Sequence, residues 1–293
     1  MAPGENDAAR IELVIRRKDG SEFDADVTVA PLRQEDGSVW GHVVAIRDIS
    51  AQKEVQRMRE SFIANVTHEL RSPITAFKLN LTLLEQNPKK RDAYVARLSR
   101  EADRLHHTIE DLLFLAGMDQ RRVKTAPESI NLYEMVEAFV ADRMAVAESK
   151  EVTMTFDAGG GVEDSPRPLQ ADRYLVERVL SILTTNALNY TPAGGHVTVT
   201  VESRTSGDRE WSGFSVSDTG PGIPKEEQAQ LFTRFFRGQA ASTSGVSGAG
   251  LGLAIAKEIV DLHEGEIEVE SEGVPGKGAT FRAWFPVTDA TIA

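Results

Sequence analysis

The chain has 293 residues, no cysteine and a formal net charge of −12. An acidic surface repels nucleic-acid phosphates, so we expect no nucleic-acid partner. The lack of cysteine excludes disulfides and thiolate metal sites and fits a reducing compartment. With 41% hydrophobic residues, the chain is long enough for two or three packed domains.

The sequence has no obvious membrane or targeting signal. No stretch approaches the roughly 20 uninterrupted apolar residues that span a bilayer, and the N-terminus lacks a basic and then apolar signal pattern. We therefore expect no membrane segment in this chain. We also expect a cytoplasmic location, either for the chain by itself or as the soluble part of a longer membrane-bound protein.

Residues 11–49 alternate apolar and polar positions, which is typical of strands with one buried face. Asp19-Gly20 and Asp36-Gly37 interrupt this alternation, and Asp-Gly is favoured in hairpin turns. The pattern predicts three antiparallel strands. Three strands without helices make a thin core, so we interpret this block as a piece of a domain.

Residues 51–117 have a helical period, and Asn87-Pro88 indicates the turn of an antiparallel helical hairpin. Two amphipathic helices bury too little surface alone, so we predict a homodimer in which two hairpins form a four-helix bundle. The apolar stripe of the first helix is Phe62, Val66, Leu70, Ile74, Phe77, Leu81 and Leu84, and that of the second is Val95, Leu98, Ala102, Leu105, Ile109, Leu112 and Ala116.

His68 lies on the first of these helices, away from its apolar stripe. At about 100° per residue the pattern places His68 on the solvent side of the helix. Ser72 follows one turn later on the same face, and Pro73 removes a backbone donor and should kink the helix. Most surface histidines are only solvated side chains, and we interpret His106 and His107 in that way.

From about residue 130 onward, helices alternate with strands, which predicts helices layered on one mixed sheet. Two glycine-rich segments, at 218–224 and 247–260, place glycines where backbone can approach a ligand closely. The second precedes a helix whose free N–H groups can receive phosphate. Each segment alone is as compatible with a turn as with a phosphate site. The segment between them, 238–250, is rich in Gly, Ser and Ala, and this composition predicts a mobile lid.

Five motifs together identify a family. They are HELRSP at 68–73, NALNYTP at 186–192, DTGPGIP at 218–224, LFTRFFRG at 231–238 and GAGLGLAIAKEIV within 248–281. Their order is that of the H, N, G1, F and G2 boxes, and over residues 50–287 the chain resembles a two-component sensor histidine kinase. Residues 11–50 end in RDIS and resemble the C-terminal strands of a PAS sensor domain, with Asp48 at its acidic junction position.

The resemblance implies an α+β multidomain fold. Residues 1–50 would be a partial PAS sensor domain made of β-strands. Residues 51–122 would hold the signalling helix and the dimerisation and histidine phosphotransfer domain, an antiparallel hairpin that forms a dimeric four-helix bundle. Residues 123–293 would form an α/β-sandwich ATP-binding catalytic domain of the Bergerat type.

The resemblance also implies roles for the HELRSP segment. His68 would accept the phosphoryl group, and an unprotonated imidazole is a good nucleophile at neutral pH. Glu69 matches the carboxylate that holds the far ring N–H. Ser72 stands where the family often has a side chain that orients the water for dephosphorylation of a partner regulator, although helix capping before Pro73 is an equal alternative.

The implied ATP and Mg²⁺ site lies in the second half of the chain. Asn186 matches the Mg²⁺ ligand, Asp218 matches the acceptor for the adenine amino group, and Thr280 matches a hydroxyl beside Asp218. Arg237, in preference to Arg234, would neutralise charge on the γ-phosphate. The other residues implied at the nucleotide, with Tyr190 and Ile223 as walls, are Asn189, Tyr190, Gly220, Gly222, Ile223, Gly248, Gly250, Leu251, Gly252 and Leu253.

Two positions depart from the family pattern. Ile182 stands where an asparagine is usual and cannot ligate a metal, and Asn189 stands where a lysine is usual and brings no charge to phosphate. These changes keep open a degenerate, nucleotide-binding dimeric scaffold that docks a regulator without phosphotransfer. Gyrase-like ATPases carry a glutamate base near the start of this box, so Ile182 disfavours ATP hydrolysis coupled to mechanical work.

We therefore predict an ATP-dependent protein-histidine kinase that uses ATP and Mg²⁺ to phosphorylate His68. Its partner would be the receiver domain of a response regulator, which accepts the phosphoryl group on an aspartate. Phosphatase activity toward that regulator is a further expectation.

Overall fold

The computed structural model describes residues 8–119, 125–158, 168–240 and 249–287, and for residues 58, 59, 68, 69, 88 and 119 it describes the backbone alone. The chain forms two compact units, Met1–His68 and Glu69–Ala293. The α+β multidomain fold is confirmed. The domain boundaries predicted from the sequence stay a prediction.

The first unit contains a three-stranded antiparallel sheet in the order β1-β2-β3. The two predicted turns join its strands, and Gly20 and Gly37 have φ angles of 88° and 85°, which favour glycine. The prediction of three antiparallel strands is therefore confirmed. The strands are β1 (Ala9–Arg16), β2 (Glu22–Arg33) and β3 (Val39–Asp48).

A helix, α1 (Ser50–Gln86), follows directly and extends from the first unit into the second. Asp48 caps its start, because its Oδ1 accepts the N–H of Ser50 at 3.0 Å. The helix continues through Pro73, and the kink predicted there stays a prediction. A short 3₁₀ turn separates α1 from α2 (Arg91–Asp119), as the Asn87-Pro88 pattern predicts.

The second unit is built on a five-stranded sheet in the order β5-β7-β8-β10-β9. Strands β5 and β7 are parallel, and the other neighbours are antiparallel, so the sheet is mixed as predicted. Its strands are β5 (Thr153–Asp157), β7 (His196–Ser206), β8 (Arg209–Asp218), β9 (Glu266–Glu270) and β10 (Thr280–Pro286).

Three helices of the second unit, α3, α4 and α6, share a core with one face of this sheet. The largest fully buried side chains include Leu180 and Leu183 of α4, Ile255 and Ile259 of α6, and Phe214 of β8. Burying such aliphatic side chains stabilises each by roughly 1.5–3 kcal/mol relative to exposure. The helices are α3 (Leu132–Ser149), α4 (Arg173–Tyr190), the short α5 (Lys225–Gln228) and α6 (Gly252–Leu262).

The starts of α3 and α4 follow the capping rules. Asn131 accepts hydrogen bonds from the first turn of α3, and Asp172 accepts one from Leu175 in α4. A two-stranded pair, β4 (Glu128–Ile130) and β6 (Leu169–Ala171), lies outside the sequence prediction. Strands of three residues are too short to show alternation, so only their pairing reveals them.

Candidate functional site

Helix α4 brings polar side chains to a cavity because its two faces differ. Val179, Leu180 and Leu183 are fully buried in the core. Asn186 and Tyr190 are four residues apart and therefore share a face of the helix, and both line the cavity. The same helix thus packs the core and presents the N-box side chains to a ligand.

The cavity has a volume of about 1360 Å³ and lies wholly within the second unit. Its size exceeds that of a usual small-molecule pocket because it continues from the glycine-rich segments to α2. Most residues implied at the nucleotide line it, namely Asn186, Asn189, Tyr190, Asp218, Gly222, Ile223, Arg237, Gly250, Leu251, Gly252 and Leu253.

Asp218 ends β8 at the wall of this cavity and is 9% exposed. Its Oδ1 accepts the N–H of Gly220 at 2.8 Å. Burial raises the pKa of the Asp218 carboxyl, although the N–H groups of Gly220 and Ala279 lower it. A carboxylate has about four acceptor sites, so Asp218 retains the capacity to accept a ligand N–H.

The glycines around Asp218 are required by space. A Cβ at Gly278 would lie 1.8 Å from the Asp218 carbonyl oxygen, and a Cβ at Gly220 would lie 2.8 Å from its Oδ1. Gly222 has a φ of 74°, and its Cβ would meet the Val274 backbone at 3.0 Å. Any larger residue would displace the carboxylate or the cavity wall.

The F-box segment and the G2 segment contact each other at residues whose backbone has a left-handed conformation. Phe235 has a φ of 66°, which is strained for an aromatic residue. Its N–H donates to the Gly250 carbonyl at 2.8 Å. A Cβ on Gly250, which has a φ of 67°, would lie 2.7 Å from the Phe236 carbonyl oxygen. Only glycine therefore allows the two segments to approach this closely.

Helix α6 begins at Gly252, at the edge of the cavity. Leu251 occupies its N-cap position, and its side chain has no polar atom to accept hydrogen bonds from the first-turn N–H groups. A helix N-terminus that opens into a cavity suits a phosphate group. The predicted phosphate-facing role of Gly250 and Gly252 is compatible with this position.

The two candidate arginines of the F box differ in surroundings. Arg237 lines the cavity, and its charge lowers the pKa of the Tyr190 hydroxyl, which burial raises by more. Arg234 forms an ion pair with Glu258 at 3.0 Å and lies outside the described cavity lining. This placement favours Arg237 as the residue that faces a ligand.

Thr280 differs from its prediction. Its hydroxyl donates to Ser217 Oγ at 3.0 Å, and Thr280 and Ser217 are paired across β10 and β8. Because successive strand residues point to opposite faces, this hydroxyl lies on the other face of the sheet from Asp218. Residues 279 and 281, rather than Thr280, contribute to the cavity.

Several predicted residues have no described side-chain environment. The side chains of His68 and Glu69, together with all of Gly248, lie outside the described residues. The predicted lid at 238–250 likewise falls mostly outside them. Ser72 is described and is exposed on α1, which leaves its hydroxyl accessible.

Sequence reasoning missed a contact between α2 and α4. Arg178 Nη2 donates to Asp111 Oδ1 at 2.9 Å, and the Arg178 guanidinium lies 4.4 Å from the centroid of the Phe114 ring. Burial raises the pKa of the Asp111 carboxyl more than Arg178 lowers it. These residues are 67 positions apart, so no local pattern could have indicated the pair.

The donor set at the cavity fits a metal that arrives with a nucleotide. No group of three or more acidic or histidine side chains suited to a metal occurs within the described ranges. Mg²⁺ is usually held by one or two protein oxygens, with phosphates and water completing its shell. A single amide oxygen, from Asn186 at the cavity wall, matches that requirement.

Three family models match successive parts of the chain. Residues 3–51 match the PAS domain, residues 58–121 match the His Kinase A (phospho-acceptor) domain, and residues 171–289 match the histidine kinase-, DNA gyrase B- and HSP90-like ATPase. As for membrane segments, none of the helices in the described part of the chain combines the length and apolar character needed to cross a bilayer.

Curated relatives align with most of the chain. It is 31% identical to the sensor histidine kinase WalK of Bacillus subtilis (strain 168) over 264 residues, which is 89% of this chain and 42% of WalK. It is 32% identical to the alginate biosynthesis sensor protein KinB of Pseudomonas aeruginosa over 262 residues, 88% of this chain and 42% of KinB. The chain thus spans less than half the length of these relatives.

A solved structure shares the fold. The structure of histidine kinase ThkA in complex with response regulator protein TrrA aligns with a TM-score of 0.60 and 21% identity. The alignment covers 95% of this chain and 79% of that one. The likeness shows that the two chains share a fold.

Proposed function

The chain belongs to the sensor histidine kinases, and on that premise we propose that it transfers the γ-phosphoryl group of ATP to His68. The phosphoryl group then passes to an aspartate in the receiver domain of a response regulator. One observation carries this proposal. A single cavity brings together Asn186, Asp218 and the N-terminus of α6, which come from three separate motifs.

One end of the cavity suits the adenine base of a bound nucleotide, and the other end suits its phosphates. At one end, the half-buried walls of Tyr190 and Ile223 flank the base, and Asp218 accepts a hydrogen bond from the adenine amino group. At the other end, the first-turn N–H groups of α6 and the Arg237 guanidinium face the phosphates. Mg²⁺ bound with the nucleotide would offset phosphate charge, with Asn186 as its protein ligand.

The transfer itself needs a nucleophile and charge compensation. The unprotonated ring nitrogen of His68 attacks the γ-phosphorus, an N–P bond forms, and the bond from phosphorus to the oxygen of the leaving ADP breaks. Glu69 holds the proton on the other ring nitrogen and keeps the attacking nitrogen unprotonated. Arg237 stabilises the negative charge that grows on the leaving oxygens.

The exposed apolar side chains of the hairpin support a homodimer. Ile74 and Leu81 of α1, with Val95 and Ile109 of α2, are between 41% and 47% exposed in a single chain. These residues belong to the two stripes predicted from the sequence. Pairing two hairpins into a four-helix bundle would remove this apolar surface from water.

The exposed Ser72 supports phosphatase activity as a second reaction of the same surface. Its hydroxyl lies one turn beyond His68 on α1, and a hydroxyl there can orient a water toward a phosphorylated aspartate. The partner in both reactions would be the receiver domain of a response regulator.

Labelled ATP tests the proposal. The purified chain is incubated with γ-labelled ATP and Mg²⁺, and we expect protein-bound label that is acid-labile and alkali-stable. His68→Ala should carry no label, whereas His42→Ala, an exposed histidine of β3, should carry as much label as the unmodified chain. Binding of ATP without any label would instead indicate the scaffold that the Ile182 substitution keeps open.

A further inference from the structure

Lys150 contacts the wall of the nucleotide cavity from a different helix. It follows α3 directly, and its Nζ donates a hydrogen bond of 2.9 Å to Asn189 Oδ1 on α4. Asn189 lines the cavity and is the position at which the family pattern has a lysine. The structure therefore holds a cation beside the N-box position at which this chain has an uncharged residue.

The backbone sets this contact. Lys150 is the C-cap of α3, and its N–H reaches the Ala147 and Glu148 carbonyls. Glu151, with a φ of 57°, then turns the chain toward β5. On the α4 side, Gly194 N–H donates to the Glu151 carbonyl at 2.7 Å. Because the end of α3 is joined to the turn after α4, the side chain of Lys150 reaches the last turn of α4.

The contact also orients the Asn189 amide. A lysine ammonium has three donors and no acceptor, so it pairs with the amide oxygen of Asn189 and not with its nitrogen. With the oxygen committed to Lys150, the two N–H donors of the amide remain for the cavity. Asn189 lies one helical turn beyond Asn186, the predicted Mg²⁺ ligand, and both residues line the cavity.

We propose that Lys150 is a positioning residue for the triphosphate of ATP. It fixes the Asn189 amide with its donors toward the phosphates and adds a positive charge within hydrogen-bond distance of a cavity-lining residue. The inference rests on the proposed nucleotide site and adds a residue that no N-box motif contains. A purely structural alternative is that Lys150 only offsets the dipole at the C-terminus of α4, which would affect stability and not ligand choice.

ATP and adenosine distinguish these two roles. Binding of each to the full chain is measured by calorimetry in the presence of Mg²⁺. Lys150→Ala should raise the Kd for ATP by about three- to tenfold, which is the effect typical of losing one ordinary hydrogen bond. The Kd for adenosine, which has no phosphate, should stay the same. Lys150→Arg, which keeps the charge and a donor, should bind ATP nearly as well as the unmodified chain.

A rescue variant tests the charge at the cavity itself. In Lys150→Ala with Asn189→Lys, a lysine returns to the N-box position, and ATP affinity should recover. Lys257→Ala is the matched control, because Lys257 is an exposed lysine that pairs with Asp261 along α6, and its Kd for ATP should not change. For the kinase reaction, Lys150→Ala should raise the KM for ATP with kcat little changed.

Three results would overturn the inference. One is an unchanged Kd for ATP in Lys150→Ala. The second is an equal loss of ATP and adenosine binding with a lower melting temperature, which would assign Lys150 a structural role. In both cases the unmodified chain still binds ATP, and the proposed function stands. If the unmodified chain binds no ATP, the nucleotide site and this inference fail together.

Discussion

Arg178 of α4 and Asp111 of α2 form an ion pair of 2.9 Å in which both side chains are largely shielded from solvent, at 17% and 31% exposure. The Arg178 guanidinium also covers the ring of Phe114. This pair joins the second helix of the hairpin to the helix that carries the N box. Its strength therefore affects how firmly α4 is held on α2.

Removing either partner of this pair should destabilise the second unit. Arg178→Ala leaves a partly buried carboxylate without its guanidinium, and we expect a loss of about 1–2 kcal/mol in the free energy of unfolding. A double-mutant cycle with Asp111→Ala, measured by urea denaturation, should give a coupling of about 1 kcal/mol. Arg173→Ala, an exposed arginine on the same helix, is the control. Strictly additive losses would show that the pair contributes nothing.

Two neighbouring glycines should respond very differently to alanine. At Gly278 a Cβ would overlap the Asp218 carbonyl oxygen at 1.8 Å, so we expect Gly278→Ala to cost about 3 kcal/mol or more and to abolish ATP binding. Gly276 has a φ of 86°, but no described atom lies within 4 Å of its would-be Cβ. Gly276→Ala should therefore cost only about 1–2 kcal/mol, the left-handed backbone penalty. Comparable losses, measured by chemical denaturation, would contradict the close packing at Asp218.

The raised pKa of Asp218 predicts a pH-dependent stability. The folded protein holds this proton more tightly than the unfolded chain does, so the stability contribution is complete below the unfolded pKa and is lost as pH rises through the folded pKa. Asp218→Asn does not titrate. Urea midpoints measured from about pH 7 to about pH 4 should therefore rise for the unmodified chain relative to Asp218→Asn as the pH falls. A relative fall would show that burial does not dominate at this carboxyl.

Asp48 should control the start of α1. Its carboxylate accepts the Ser50 N–H, and Arg17 also donates to it. These contacts lower the pKa of Asp48, first through Ser50 and then through Arg17. Asp48→Ala should increase hydrogen exchange in the first turn of α1, because the cap is lost. Asp48→Asn keeps a capping oxygen and should retain most of the protection. Unchanged exchange in Asp48→Ala would indicate that other contacts hold the helix start.

Much of the fold was predictable because its elements have one buried face. Period-2 alternation marked the strands of both sheets, the Asp-Gly turns marked the hairpins, and Asn87-Pro88 marked the break between α1 and α2. Strands β4 and β6 were not predicted, because three residues are too few to show an alternation of buried and exposed positions. The sequence placed the Thr280 hydroxyl beside Asp218, but the register with Ser217 puts it on the other face of the sheet.

The motifs that name the family are local, so the sequence by itself determined the family, the candidate phosphoacceptor and most of the residues proposed to contact the nucleotide. A local motif works in this way because its backbone geometry and its chemistry lie within a few consecutive residues. The tertiary structure alone decided which distant residues support that site. Asp111 meets Arg178, and Lys150 meets Asn189, only because α2 and α3 pack beside α4, and such contacts depend on helix packing that no short stretch of sequence encodes.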